Sequence, residues 1–166
     1  MAEFKSPAMR KTKNVKHVEP GPFKPSGILH FTISVADIDR ARDFYVDVVG
    51  STHWRQNEKT VFMMAGKQFF LLSNIGYHRS PNDPGHTLIH NAFIVNGGNF
   101  DRAIAQLEAK GIEILRYEDD RHIAFVGRHA YFQDPDGNAV ELIDLEDIGS
   151  GDTPPQPFMD GLLETQ

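Results

Sequence analysis

The chain has 166 residues, of which 40% are hydrophobic and 24% are charged, values typical of one globular domain or of two small modules with a common core. It has no cysteine, which excludes a disulfide scaffold, a zinc ribbon and a thiol nucleophile, and no apolar run approaches the roughly 18 residues of a membrane span. The net charge of −6 without a basic stripe and the lack of a secretory signal predict a cytoplasmic protein with neither nucleic-acid nor membrane partners.

Proline and glycine residues divide the chain into three parts. Residues 1–26 are predicted to be a basic, extended arm, since they hold six Lys and Arg residues against two acidic ones. Residues 27–148 are predicted to form the folded domain. Residues 149–166 form an acidic tail that contains several prolines and glycines.

The first half of the folded region, about 27–75, reads as a strand, a helix and three further strands. Asp37 or Ser34 can cap the helix, Gly50 ends it, and Gly66 suits a tight turn between the last two strands. The predicted ranges are 28–35, 38–49, 52–57, 60–65 and 67–73.

The second half, about 87–146, follows a loop at 76–87 and repeats this order. Asn99 is the predicted cap of its helix, and Gly111 ends it. The predicted strands are 88–95, 112–117, 122–126, 129–133 and 138–144. The segment 134–137 reads Asp-Pro-Asp-Gly, which predicts a turn between the last two strands.

The two halves match as an internal repeat. Each begins with a strand whose third residue is histidine, His30 or His90, and each has a helix with the triplet Asp-Arg-Ala, at 39–41 and 101–103. We therefore predict an α+β fold in which two βαβββ modules enclose one shared cavity with their curved sheets.

The candidate chemical groups lie on the faces of these strands. Alternation places His30 on a polar strand face, and Glu141 shares a face with apolar neighbours in the last strand. A buried carboxylate needs a partner, because an unpaired charge is costly to bury. Taken singly, a strand glutamate is more often at the surface and a strand histidine is more often a core residue. The coincidence of the repeated histidine position and the glutamate favours a site, and eight histidines in the chain point to metal or acid–base chemistry.

These segments resemble the vicinal oxygen chelate superfamily, which includes glyoxalase I, extradiol dioxygenases, fosfomycin resistance proteins and bleomycin-binding proteins. The resemblance covers about residues 27–146. It is carried by ILHFTISV around His30, DIDRARDFYVDVVG, LIHNAFIV around His90, and YFQDPDGNAVEL, which contains Glu141.

The resemblance implies three metal ligands, His30, His90 and Glu141. Two imidazoles and one carboxylate leave open positions on a divalent ion, an arrangement typical of non-haem Fe(II) oxygenases. The same ligands also accept Mn(II), Co(II) or Zn(II).

The branch of the superfamily is predicted from a missing ligand. Glyoxalase I uses a further carboxylate on the last strand of the first module, where this chain has Leu71. We therefore expect an oxidoreductase, an extradiol-type Fe(II) dioxygenase that cleaves a catechol-like aromatic substrate with dioxygen. Twelve phenylalanines are available to line an apolar cavity.

Five residues are candidates for catalysis in this interpretation. Tyr131, ten residues before Glu141, can hydrogen-bond a substrate oxygen, although a packed aromatic residue is equally common at such a position. The acid–base candidates are His78, His86 and His129, with His122 as a further one. Each of these histidines taken alone is more often a surface loop residue.

Other functions remain open from the sequence. The same ligands suit a Lewis-acid lyase or isomerase, or a thiol/epoxide-opening transferase of the fosfomycin-resistance type, for which Arg121 and Arg128 are candidate cationic residues. A non-catalytic drug-binding protein is a third class, which the three retained ligands disfavour. We also expect a homodimer, as single-chain members of this family often pair.

Overall fold

The computed structural model describes residues 21–22, 25–120 and 125–148. The first module consists of β1 (His30–Ser34), α1 (Ile38–Asp47), β2 (Thr52–Gln56), β3 (Thr60–Ala65) and β4 (Gln68–Ser73). The second consists of β5 (His90–Ile94), α2 (Gly98–Ala109), β6 (Arg116–Asp120), β7 (Phe125–Gln133) and β8 (Ala139–Ile148). The predicted pair of βαβββ modules is confirmed. Nearly all of the predicted basic arm and the whole acidic tail lie outside the described residues.

The two sheets have the same topology. The strand order is β1-β4-β3-β2 in the first and β5-β8-β7-β6 in the second. In each sheet the first and last strands of the module pair in parallel, and the remaining pairs are antiparallel. Corresponding positions of the two modules can therefore be compared row by row across the sheets.

The second module differs from its prediction around β7. Instead of separate strands at 122–126 and 129–133, one strand runs from Phe125 to Gln133, with a bulge between Val126 and Gly127. Gly127 has φ +150°, and a Cβ built there would meet the Asp144 carbonyl oxygen at 2.0 Å. The glycine thus permits a bulge inside the strand and does not end it. β6 begins at Arg116, four residues later than predicted.

The two helices begin differently. Asp37 caps α1 as predicted, since its carboxylate accepts hydrogen bonds from the Asp39 and Arg40 amides. The N-cap of α2 is Gly97 and not Asn99. Gly97 adopts φ +55°, and its amide donates to the Asp144 carboxylate on β8 at 2.6 Å. A carboxylate from a distant strand therefore anchors this helix start, a contact that local sequence does not reveal.

One hydrophobic core joins the two modules. Rings of Tyr45 on α1, Phe70 on β4 and Phe93 on β5 pack with centroids 5.4–6.2 Å apart. The turn after β7 adds polar contacts to the first module, because the Tyr45 hydroxyl donates to Asp134 at 3.2 Å and Arg40 pairs with Asp136 at 2.5 Å. His30 and His90, the first residues of β1 and β5, lie on the sheet faces opposite to the buried Ile33 and Phe93.

None of the described helices has the length and apolar character needed to cross a membrane.

Candidate functional site

A buried carboxylate lies at the centre of the candidate site. Glu141 on β8 is 4% exposed, and its two oxygens contact three side chains of the second module. Oε2 lies 2.8 Å from His90 Nε2, while Oε1 lies 2.5 Å from His129 Nδ1 and accepts from the Tyr131 hydroxyl at 2.9 Å. The partner that a buried carboxylate requires is therefore supplied three times.

The register of the sheet explains this convergence. Tyr131 on β7 is paired directly with Glu141 on β8, and His129 is paired with Ile143, one side-chain row further along. Alternating residues of a strand share a face, so both β7 side chains lie on the face of Glu141. The His129 and Tyr131 rings are parallel, with an interplanar angle of 5° and centroids 6.3 Å apart.

His90 presents one ring nitrogen to the backbone and the other to the carboxylate. Its Nδ1 lies 2.8 Å from the Thr87 carbonyl oxygen, which can only accept, so Nδ1 carries the proton of this contact. Nε2 is then the nitrogen available to a metal ion. Backbone carbonyls commonly orient metal-binding histidines in this way.

The contacts of Glu141 shift the pKa values of the cluster. Burial acts to raise the pKa of Glu141, but hydrogen bonds from His129, His90 and Tyr131 outweigh it and lower the pKa to about 2. The hydrogen bond to Glu141 raises the pKa of His90. Burial, together with the nearby Glu141 charge, raises the pKa of Tyr131 above its ordinary value. Glu141 is therefore ionised at neutral pH.

A guanidinium group extends the cluster. Arg116 on β6 is paired with Tyr131, and its Cζ lies 3.9 Å above the centre of the tyrosine ring. Its Nε is buried and has no hydrogen-bond partner among the described residues, with Glu118 Oε1 3.5 Å away. Arg116 was not among the predicted site residues, although it lies in the predicted strand 112–117. The signal that could have found it is its pairing with Tyr131, which depends on the register between β6 and β7.

The third predicted ligand lies on the other sheet. His30 is exposed at the start of β1, whereas His90 and Glu141 belong to the second module. Among the described residues, no three histidine, aspartate or glutamate side chains are grouped so as to hold a metal ion. The predicted convergence of the three ligands in a cavity between the modules is therefore not found within a single chain, where His30 lies on one sheet and His90 and Glu141 lie on the other.

The other predicted catalytic histidines lie outside this cluster. His78 bridges the modules, with Nε2 2.8 Å from the Asp136 carbonyl oxygen and Nδ1 3.2 Å from the Ser34 hydroxyl. These contacts make it part of the module junction. His86 is exposed in the loop before β5. His122 lies outside the described residues.

Arg128, one of the two cationic residues predicted for a transferase, is also not in the cluster. Arg128 pairs with Asp101 and Asp144 at 2.6 Å each, and so connects α2 to the sheet. Arg121 lies outside the described residues. Arg116 alone among the described arginines is placed over the ring of Tyr131.

Strand register shows which residue of the first module is equivalent to Glu141. His30 is paired with Phe69 and His90 with Ala139, so Leu71 and Glu141 each stand two residues further along the equivalent strand. Leu71 is thus the first-module counterpart of Glu141. The first sheet has no carboxylate at this position.

Comparisons with known proteins identify the family. The model of the Glyoxalase/Bleomycin resistance protein/Dioxygenase superfamily matches residues 27–142. This chain belongs to that superfamily, as the sequence resemblance predicted.

Several relatives indicate a branch. The chain is 29% identical to Metallothiol transferase FosB of Shouchella clausii over 117 residues, which are 70% of this chain and 79% of the relative. It is 26% identical to Glutathione transferase FosA of Serratia marcescens over 115 residues, 68% and 77% of the two chains. A mutant of the fosfomycin resistance protein FosX of Listeria monocytogenes, solved with Mn(II) and 1S,2S-dihydroxypropylphosphonic acid, shares the fold. It matches with a TM-score of 0.61 and 21% identity, over 74% of this chain and 93% of its own.

These relatives correct the predicted chemistry. The expected oxidoreductase, an Fe(II) dioxygenase with an aromatic substrate and dioxygen, is wrong, because the curated relatives are thiol transferases. The physical reason for the error is that two histidines and one carboxylate suit a Lewis-acid site as well as an oxygenase site.

Proposed function

We propose that the chain is a divalent-metal-dependent transferase that adds an external thiol to an electrophilic, epoxide-type carbon of a small anionic substrate. The names of the FosB and FosA relatives describe thiol transfer. Fosfomycin is carried over as the substrate class from the name of the fosfomycin resistance protein FosX. The observation that carries the proposal is the Arg116 guanidinium in the row of Glu141 and Tyr131.

Arg116 suits the binding of an anionic group. A guanidinium offers several N–H donors in a planar fork that matches the oxygens of a phosphonate or carboxylate. Its Nε has no hydrogen-bond partner within the described part of the chain, although the side chain is 39% exposed at the sheet face. The exposed part of the guanidinium, and not its buried Nε, is where a substrate oxygen could bind.

The metal ligands in this proposal are His30, His90 and Glu141. Because His30 lies on a different sheet from the other two, we propose that a second copy of the chain supplies it. The face that carries His30 also has exposed apolar side chains, with Trp54 53% exposed and packed on Phe69 at 5.3 Å. Apolar surface of this kind favours coverage by a partner.

The donor set fits a divalent cation. His90 keeps Nε2 available because its Nδ1 is held by the Thr87 carbonyl, and Glu141 is ionised. When bound, a divalent cation supplies Lewis-acid polarisation of a substrate oxygen. Mn(II) is our first choice because the FosX structure contains it.

The chain's own residues then bind and orient the reactants. Since it has no cysteine, the thiol must come from a second substrate. Its thiolate sulfur attacks the carbon, the C–S bond forms, the C–O bond breaks, and the released oxygen takes a proton. Arg116 holds the anionic group, and Tyr131 holds Glu141 in place by its hydroxyl.

The test is a thiol-consumption assay on protein loaded with Mn(II), with fosfomycin as the electrophile and glutathione or cysteine as the thiol. We expect one thiol to be lost per product, and an undiminished rate without dioxygen. Metal-free protein is the control and should be inactive. Equal turnover with and without the thiol would show that water, and not the thiol, is the nucleophile. No turnover of either kind would contradict the proposal.

The shared site has a test of its own. His30→Ala and Glu141→Ala should each be inactive alone, because each removes a ligand from both sites of a dimer. When equal amounts of the two variants exchange subunits, half of the dimers are mixed, and each mixed dimer has one complete site out of two. About a quarter of all sites should therefore recover. Mixing His90→Ala with Glu141→Ala is the matched control and should recover none, since both ligands belong to the same module. Recovery in the control, or none in the test mixture, would contradict the second-copy arrangement.

A further inference from the structure

We infer that His129 is a positioning residue for the metal-binding carboxylate: it holds Oε1 of Glu141 so that Oε2 is directed towards His90. This inference rests on the proposed function, because it assigns His129 a role towards the same metal site. It also replaces the acid–base role that the sequence predicted for this histidine.

The His129 ring is held from both ends. It is 1% exposed, with Nε2 3.0 Å from the Phe125 carbonyl oxygen and Nδ1 2.5 Å from Glu141 Oε1. Both ring nitrogens thus face oxygen atoms, and the Nδ1 contact with the carboxylate is the shorter of the two. The backbone of β7 thereby sets the angle at which the ring meets the carboxylate.

The two oxygens of Glu141 consequently have different surroundings. Oε1 accepts from His129 and from the Tyr131 hydroxyl at 2.9 Å, whereas Oε2 contacts His90 Nε2 at 2.8 Å. A rotation of the carboxylate would break both Oε1 bonds in a buried setting, where each unpaired group is costly. Oε2 is therefore the oxygen kept for the metal.

The first module supports a link between His129 and the carboxylate. Its residue equivalent to His129 is Thr60, which is paired with Ser73 as His129 is paired with Ile143. Thr60 contacts the Ser73 hydroxyl at 3.3 Å, and the equivalent of Glu141 is Leu71. Where the sheet has no carboxylate, it has no histidine at the equivalent position either.

His129 offers no polar atom of its own to the reactants. Because its two nitrogens are engaged and its side chain is buried, it presents no free polar atom to a substrate at the sheet face. It therefore acts through Glu141 and is not itself a catalytic residue.

Two isosteric variants separate the two contacts. The amide nitrogen of asparagine falls near the place of Nδ1, and that of glutamine falls near the place of Nε2. His129→Asn should thus keep a donor to Glu141, whereas His129→Gln keeps the donor to the Phe125 carbonyl and loses the one to Glu141. His129→Met, which fills the space without a donor, serves if the glutamine variant does not fold.

The readout is the dissociation constant of Mn(II), measured from the electron paramagnetic resonance signal of the free ion, with metal-free thermal unfolding as the check on folding. We expect His129→Gln and His129→Met to weaken Mn(II) binding by about 10- to 100-fold, the usual cost of losing a group that orients a ligand. His129→Asn should remain within about threefold of wild type.

Each outcome decides between the possibilities. Equal Mn(II) affinity in the folded asparagine and glutamine or methionine variants would overturn the inference, since a merely structural histidine predicts no difference between them. Wild-type protein that binds no Mn(II) would overturn it together with the metal site. A difference between the variants without any thiol-transfer activity in wild type would support the positioning role and refute the proposed reaction alone.

Discussion

Equivalent rows of four residues cross the two sheets at the same depth, and they differ in chemistry. In the first module the row is Thr32, Leu71, Phe62 and Arg55, and in the second it is Ala92, Glu141, Tyr131 and Arg116. Each row ends in an arginine whose guanidinium lies over the neighbouring ring, at 5.1 Å in the first and 3.9 Å in the second. The backbone arrangement is therefore repeated, including the stacked arginine.

The difference lies in what the arginine and the ring can reach. Tyr131 has a hydroxyl that donates to Glu141, whereas Phe62 has none and faces Leu71. Trp54 packs against Phe62 at 6.1 Å and completes an apolar surface on the first sheet. One sheet thus offers a polar half-site and the other an apolar wall with a single histidine, which is why neither sheet alone makes a metal centre.

The largest expected effect comes from removing the carboxylate of Glu141. The equivalent change at Leu71 in the first module is its control. Glu141→Gln should weaken Mn(II) binding by at least about 100-fold, because it removes a ligand charge and replaces one accepting oxygen with an NH2 group that faces other donors. Leu71→Gln is the matched control and should leave Mn(II) affinity near that of wild type. Calorimetric titration with Mn(II) measures both, and equal affinities in the two variants would refute the ligand role of Glu141.

The sequence predicted much of this comparison because both modules follow simple rules. Strand alternation identified the faces of His30 and Glu141, and the helix and turn signals at Asp37, Gly50 and Gly66 agree with the structure. The match of Leu71 to the position of a family carboxylate, which the resemblance implied, agrees with the register of the two sheets.

The remainder depended on contacts between distant segments. β6 starts at Arg116, and its pairing with Tyr131 is set by the sheet and not by local propensity. The α2 cap is set by Asp144, 47 positions away from Gly97. The wrong choice of oxygenase chemistry has another origin, since two histidines and one carboxylate serve several reactions.

The next effect concerns stability and the bulge that only the second module has in β7. Gly127→Ala should lower the free energy of unfolding by about 3 kcal/mol or more, because the new Cβ would meet a backbone oxygen and alanine disfavours φ +150°. Gly66→Ala, at φ +56° with open space around it, should cost only about 1 kcal/mol. Urea denaturation measures both, and equal losses would show that the bulge is not held against Asp144.

A smaller effect should separate the two stacked arginines. Arg116→Gln should raise the KM for the anionic substrate by about 30-fold, equivalent to about 2 kcal/mol for one charged hydrogen-bonding group. Arg55→Gln should leave the KM within about threefold, because the guanidinium of Arg55 lies beside Trp54 on the apolar wall. Steady-state thiol transfer provides the measurement. A similar rise of the KM in both variants would mean that the anion is not bound by the row of Glu141, Tyr131 and Arg116.

The smallest effect is the acid dependence of stability in the metal-free protein. The pKa of Glu141 is lowered to about 2 from its ordinary 4.5, so its stabilisation is complete above about pH 4.5 and is lost as the pH falls towards 2. In this window the group contributes a slope of at most about 1.4 kcal/mol per pH unit.

The pKa of His90 is raised by Glu141, so its stabilisation behaves oppositely: it is present below the ordinary histidine pKa and lost as the pH rises through the raised one. Urea denaturation between about pH 3 and 8 should therefore give a stability maximum in wild type, whose acid limb becomes shallower in Glu141→Gln and stays unchanged in Leu71→Gln. If the free energy of unfolding fell equally with decreasing pH in wild type and Glu141→Gln, the residues around Glu141 would not stabilise it as an ionised group.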